Sequence, residues 1–237
     1  MSIHEVVILF FLFFIGSCFG SFLNVVIYRV PKKMSIVRPA SHCFACKEPI
    51  RIIDNIPILG YFKLNGKCRN CGAEFASRYA FVELITGVLT LCIYMIYGWN
   101  DTFLVYLSLT YLLIAMTFVD IDHLIIPNGF VITGLLILII SVMMDWVAID
   151  WQDAMSGAFV FAGFLFAIGL IGQFVLGKES IGFGDVKLGL VLGGFLGTEY
   201  SILALYLSFA ISAIVIFVML GSKLIDKNAK IPFGPYL

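Results

Sequence analysis

The sequence predicts an all-α polytopic membrane protein of about seven transmembrane helices, with its N-terminus outside and a small cytosolic zinc-binding loop. Two observations carry this prediction. Of 237 residues 61% are hydrophobic and only 13% charged, where a soluble globule holds roughly 25% charged residues. The apolar residues also gather into runs of the length that an acyl core about 30 Å thick demands of a helix.

Seven spans can be marked: Ile3 to Tyr28, Tyr79 to Tyr97, Thr102 to Val119, Gly129 to Met144, Ala154 to Leu176, a weaker Val186 to Gly197, and Tyr200 to Gly221. The first is a retained anchor rather than a cleaved signal, because its flank MSIHE has no Lys or Arg and the basic cluster follows the apolar run. The sixth contains Lys187 and follows or holds glycines 182, 184, 189, 193, 194 and 197, a composition of helices that pack closely or break. Formal net charge is zero, which argues against a nucleic-acid partner. The distribution of charge is one-sided. Ten of the 15 basic residues lie between Arg29 and Arg78, and Lys178, Lys187, Lys223, Lys227 and Lys230 fall on the same side. The opposite turns hold Asp101, Asp145, Asp150, Asp153 and Glu199 without a cation, so the positive-inside rule places the N-terminus outside. The chain divides into a first helix (1–28), a cytosolic loop (29–78) and a membrane core (79–237).

That loop holds four of the six cysteines, as Cys43-x2-Cys46 and Cys68-x2-Cys71 separated by 21 residues. Four thiolates in two such turns suit tetrahedral zinc, and a reducing compartment disfavours disulfides. A closed four-cysteine site leaves no open position, so the zinc is expected to be structural, with metal binding supplying folding free energy that so small a loop lacks. Cys18 and Cys92 lie within spans and read as small apolar packing groups.

Chemistry has to come from polar groups at the membrane. FVDIDHLIIPNGF places Asp120 and Asp122 where the third span reaches the cytosol, and IGFGDVKLG places Asp185 where the sixth begins. Carboxylates there are costly, and are either functional or helix-end caps. Two aspartates on separate helices can share one proton, since like charges about 3 Å apart cannot both ionise. One then acts as base on water while the protonated partner polarises a scissile carbonyl, so amide hydrolysis needs neither metal nor covalent intermediate.

GSFLNVVIYR at 20–29, the two cysteine pairs, RYAFVELITG at 78–87, DIDHLIIPN at 120–128, GFGD at 182–185 and IPFGPYL at 231–237 together resemble the bacterial prepilin peptidases, aspartic peptidases of the GxGD type. The resemblance runs through almost the whole chain in order. It implies a membrane-embedded endopeptidase that removes the short basic leader of type IV prepilins or pseudopilins at the cytosolic face of the bacterial inner membrane. By position it implies Asp120 and Asp185 as the catalytic pair, with Asp122 the alternative for the first role. It also implies N-methylation of the new N-terminus with S-adenosylmethionine. The chain has no room for a Rossmann-type cofactor domain, and the resemblance points instead to Gly20, Asn24, Arg29 and Glu83 near the end of the first span. In that family a further hydrophobic helix usually follows FGPxL, whereas this sequence stops at Leu237; proteolysis is expected to depend on such a helix less than stability does.

Two other classes compete. A zinc-loop membrane assembly scaffold would use the same loop and helices and tolerate loss of either aspartate. A proton-coupled transporter usually places its acids near the midplane and shows repeated halves, whereas these acids are expected at one interface. Which prepilin is cut, and whether for pili, secretion or DNA uptake, is not written in the residues.

Overall fold

The computed structural model describes residues 3–177, 181–224 and 231–237. Lys178, Lys227 and Lys230, counted above among the inward-facing cations, lie outside the described residues. Every regular element among the described residues is helical: α1 (Ile3–Arg29), α2 (Leu59–Lys63), α3 (Arg78–Tyr97), α4 (Asp101–His123), α5 (Asn128–Met143), α6 (Trp151–Leu176) and α7 (Phe183–Gly221), with 3-10 turns at Ile52–Asn55 and Gly234–Tyr236. The chain forms two compact units, Met1–Ala115 and Met116–Leu237.

Among the described residues five helices, α1, α3, α4, α6 and α7, are long and apolar enough to cross a membrane, and α5 is a shorter apolar helix of 16 residues. The sixth and seventh expected spans are the two arms of α7, 39 residues in all, divided at a non-helical residue. At 1.5 Å per residue it would reach about 58 Å if straight, nearly twice the acyl core. It is not straight. Gly197 has φ 70° and ψ −178°, a region open essentially to glycine alone. Neighbours on α6 give the direction of each arm. Gly157 meets both Gly193 and Ser201, whereas further along α6 Ala162 and Leu165 meet Gly189, and Phe164 lies edge-on to Phe209 at 5.9 Å. The arm 183–196 thus runs antiparallel to α6 and the arm 198–221 parallel to it, so the chain doubles back at Gly197. Asp153 fastens the bend by accepting the Thr198 N–H at 2.9 Å, while Asp150 caps α6 by accepting the Asp153 N–H at 2.7 Å.

In the first unit α1 and α3 pack antiparallel along a seam of small residues. A Cβ on Gly16 would strike Thr90 and the Gly87 backbone, and one on Gly20 would lie 2.7 Å from the Glu83 Cα. Lipid tails are as apolar as leucine, so such close approach, rather than a hydrophobic drive, holds membrane helices together. Two of the seam's hydroxyls bond within α3, Thr86 to the Val82 carbonyl at 2.6 Å and Thr90 to that of Thr86 at 2.7 Å, while the buried Ser17 hydroxyl on α1 has no partner among the described residues. The pairing of residues 16, 20 and 24 with 90, 83 and 79 brings the end of α1 beside the start of α3, from which the cysteine loop emerges.

Candidate functional site

In the second unit the carboxylates converge at helix ends. Among the described residues Asp120 and Asp185 are the buried acids, 5% and 8% exposed, on α4 and at the start of α7 respectively. Asp122 is exposed. The two buried carboxylates lie within electrostatic reach of each other, and the Gly182 backbone N–H donates to the Asp185 carboxylate. The glycines of GFGD have separate tasks. A Cβ on Gly184 would press on Ile126 at 3.2 Å, so its absence lets the start of α7 seat against the LIIPN segment, while one on Gly182 would stand 3.2 Å from Asp185 Oδ2. Lys187 donates to Asn128 Oδ1 at 2.9 Å and lies 4.8 Å from the Phe183 ring centroid.

A residue not singled out in the sequence completes this cluster. Gly234 donates its backbone N–H to Asp120 Oδ2 at 3.0 Å, in a buried contact between residues 114 apart. A Cβ at 234 would come 2.7 Å from the same oxygen. Phe233 holds the segment in place by packing on Phe209 at 5.2 Å between centroids. IPFGPYL was legible as a motif, but a backbone N–H leaves no side-chain signature of its target.

The four loop cysteines form one cluster, their sulfurs all within 4.8 Å of one another. Cys43 and Cys71 are 3.8 Å apart, and Cys46 and Cys68 4.0 Å. Tetrahedral zinc with bonds of about 2.3 Å requires sulfurs about 3.8 Å apart, so the residues fit the metal. The two halves are built alike. Cys43 N–H donates to the Glu48 carbonyl as Cys68 N–H does to Ala73, and Lys47 N–H returns to Cys43 as Gly72 N–H does to Cys68. Residues 47 and 72, equivalent in the two turns, both have left-handed φ, 61° and 72°. Backbone N–H groups of Cys46 and then Ala45 aimed at the Cys43 sulfur lower its thiol to about 6, so it is a ready thiolate donor. His42 contacts the Ala40 carbonyl and lies outside the cluster. Asp54 braces the second turn by accepting from Nε and Nη2 of Arg69, at 2.7 and 2.5 Å, and this pairing holds its carboxyl below the ordinary value.

The remaining candidates meet around a cavity of about 410 Å³ in the first unit. Asn24, Arg29 and Glu83 line it, together with Ser21, Tyr28, Tyr61 and Tyr79. Gly20 does not; it lets α1 approach the backbone of Glu83. Arg29 is committed to the Ser35 and Pro39 carbonyls at 2.9 and 2.8 Å. Glu83 accepts the Ile58 N–H at 2.6 Å and the Ser21 hydroxyl. Asn24 is 7% exposed and donates to the Tyr79 carbonyl at 3.0 Å, while its side-chain oxygen has no partner among the described residues.

Apolar helices of spanning length, a pair of buried aspartates at helix ends and a four-cysteine loop define a class of protein, the polytopic membrane proteins with a paired-carboxylate site. Within that class the sequence is specific. The Bacterial Peptidase A24 N-terminal domain matches residues 14–97, and the Type IV leader peptidase family matches residues 107–218. The chain belongs to the type IV leader peptidase family. Among curated relatives, the prepilin leader peptidase/N-methyltransferase of Pseudomonas putida is 33% identical over 246 residues, covering 94% of this chain and 85% of that protein. That of Neisseria gonorrhoeae is 33% identical over 247 residues with the same coverage. That of Myxococcus xanthus (strain DK1622) is 40% identical over 191 residues, 78% of this chain and 55% of the relative. No solved structure matches.

Proposed function

We propose that the chain is a membrane aspartic endopeptidase that removes the basic leader of type IV prepilins or pseudopilins, and that it also N-methylates the new N-terminus. The observation that carries the peptidase reading is the burial of Asp120 and Asp185 together, at helix ends in an apolar unit. Sharing one proton, the ionised partner takes a proton from water, and the protonated one polarises the scissile carbonyl and then helps to protonate the leaving amine. Gly234 N–H fixes one oxygen of Asp120 and leaves the other for the reaction. The site then faces the cytosol of the bacterial inner membrane, where a Lys/Arg-rich leader is retained. Cys43, Cys46, Cys68 and Cys71 hold a structural zinc.

S-adenosylmethionine fits the first-unit cavity by two criteria, a volume within the usual range for small-ligand sites and an orphaned buried acceptor on Asn24. Asn24, Arg29 and Glu83 would hold it, with Gly20 setting the helix spacing. When bound it supplies an electrophilic methyl group.

Cleavage of a prepilin substrate in membranes tests the assignment. Asp120→Asn and Asp185→Asn each lower cleavage by at least about a hundredfold, while Asp122→Asn stays near wild type at matched expression. Cleavage that survives either of the first two substitutions would support a non-catalytic scaffold instead.

A further inference from the structure

The loop between α1 and α3 carries an apolar surface that the described residues leave uncovered. Ile52 and Ile53 in the 3-10 turn and Leu59 and Phe62 on α2 are each at least 60% exposed. Leu59 and Phe62 are three residues apart and so share one face of α2. The other face is in use: Gly60 seats α2 on the 3-10 turn, where a Cβ would strike the Asp54 carbonyl, and Tyr61 lines the cavity. Large apolar side chains gathered on an exposed surface mark a contact, and three observations say with what. The first is level. Ile58 N–H is held by Glu83 Oε2 at 2.6 Å, and Glu83 lies beyond the first turn of α3, about 7.5 Å along its axis from Arg78. The start of α2 is therefore level with Phe81 and Leu84, which are exposed on a helix long and apolar enough to cross a membrane. The second is charge. Residues 29–78 hold ten Lys and Arg against Glu48, Asp54 and Glu74, and Arg51 and Lys63, both exposed, border the apolar four. At the end of α1 Lys32 Nζ lies 3.5 Å over the Tyr28 ring, a pair of the kind that sits at headgroup level. The third is tethering, since both ends of the loop continue into helices of spanning length and its surface stays at high effective concentration beside the bilayer.

From this placement we propose that the 3-10 turn and α2 dock on the lipid leaflet from which the loop emerges, with Ile52, Ile53, Leu59 and Phe62 entering its apolar edge and Arg51 and Lys63 meeting the phosphates of anionic phospholipid. A helix too short to span can lie in the plane of the interface with one face buried by about 5–10 Å, and cations beside such a face add attraction to an anionic leaflet. The contact orients a loop whose folding rests on its cysteines. It also holds one wall of the first-unit cavity against the bilayer, because Gly60, Tyr61 and Leu64 line that cavity.

Fluorescence of the full-length, zinc-loaded protein in lipid nanodiscs tests this. The reporter is Phe62→Trp in a chain whose own tryptophans are replaced, Trp99→Phe, Trp146→Phe and Trp151→Phe. The probes are phospholipids with brominated acyl chains, which quench from within the bilayer, and iodide, which quenches from water. In discs of mixed phosphatidylcholine and phosphatidylglycerol the brominated chains are expected to lower emission at position 62 at least about twofold, with little effect of iodide. Leu59→Glu, which sets a carboxylate on the same face, should abolish the lipid quenching and open the site to iodide. Melting temperature and zinc content check that each variant folds. Emission that iodide quenches and brominated lipid does not would overturn the proposal, because the surface then stays in water. Emission that neither quenches would overturn it as well, with the surface covered by protein, whether a second copy or another part of this chain. Lipid quenching that survives Leu59→Glu would overturn the assigned face, and quenching equally strong in discs of phosphatidylcholine alone would overturn the role given to anionic headgroups.

Discussion

Asp120 illustrates what a residue type reveals and what it hides. A carboxylate beside an apolar run is visible in the sequence because burying it is expensive, and that cost singles out positions 120, 122 and 185 alike. Burial separates them, leaving Asp122 exposed while Asp120 and Asp185 are enclosed. Gly234 could not be found in this way, because its contribution is a main-chain N–H and its target lies 114 residues away. On the proposed mechanism Gly234→Ala brings a methyl group against Asp120 Oδ2 and turns the carboxylate. The expected result is a loss of kcat of about tenfold or more with KM little changed, read from cleavage of a prepilin peptide.

At the scale of elements, hydropathy located the apolar segments but not the manner of their joining. The sixth and seventh spans were expected as separate helices, and they are two arms running in opposite directions, but the single residue that reverses the chain between them has a φ and ψ that no average over side chains encodes. The glycines in that stretch had signalled close packing or a break, and both occur there. Gly157 and Gly193 stand backbone to backbone, where no side chain can move aside. Gly157→Val and Gly193→Val should each lower the melting temperature in detergent, by the equivalent of about 1–3 kcal/mol or more for overpacking. Gly163, whose Cβ would meet nothing within 4 Å, is the control: Gly163→Ala leaves the melting temperature unchanged or raises it.

For the whole molecule, the cysteine loop is the part whose folding rests least on the membrane. Its sequence spacing announced a cluster because two Cys-x2-Cys turns serve few other purposes, whereas the matching hydrogen bonds of the two turns, and the brace from Asp54 to Arg69, depend on residues that carry no such signature. Metal analysis of the purified chain should return one zinc per molecule. Strong chelation should expose all four loop thiols to a thiol reagent while helical circular dichroism changes little, because α1, α3 and the second unit contain none of the ligands. Cys68→Ser should lower the zinc content and make the loop sensitive to added protease.

The bond from Gly234 to Asp120 also has a consequence in time. Residue 234 is polymerised 114 residues after Asp120, so through that part of synthesis the carboxylate has no Gly234 N–H to hold it. The arrangement closes only when IPFGPYL folds back, so a nascent chain that still lacks this segment carries Asp120 unanchored, and on the proposed mechanism its cutting edge is not yet set.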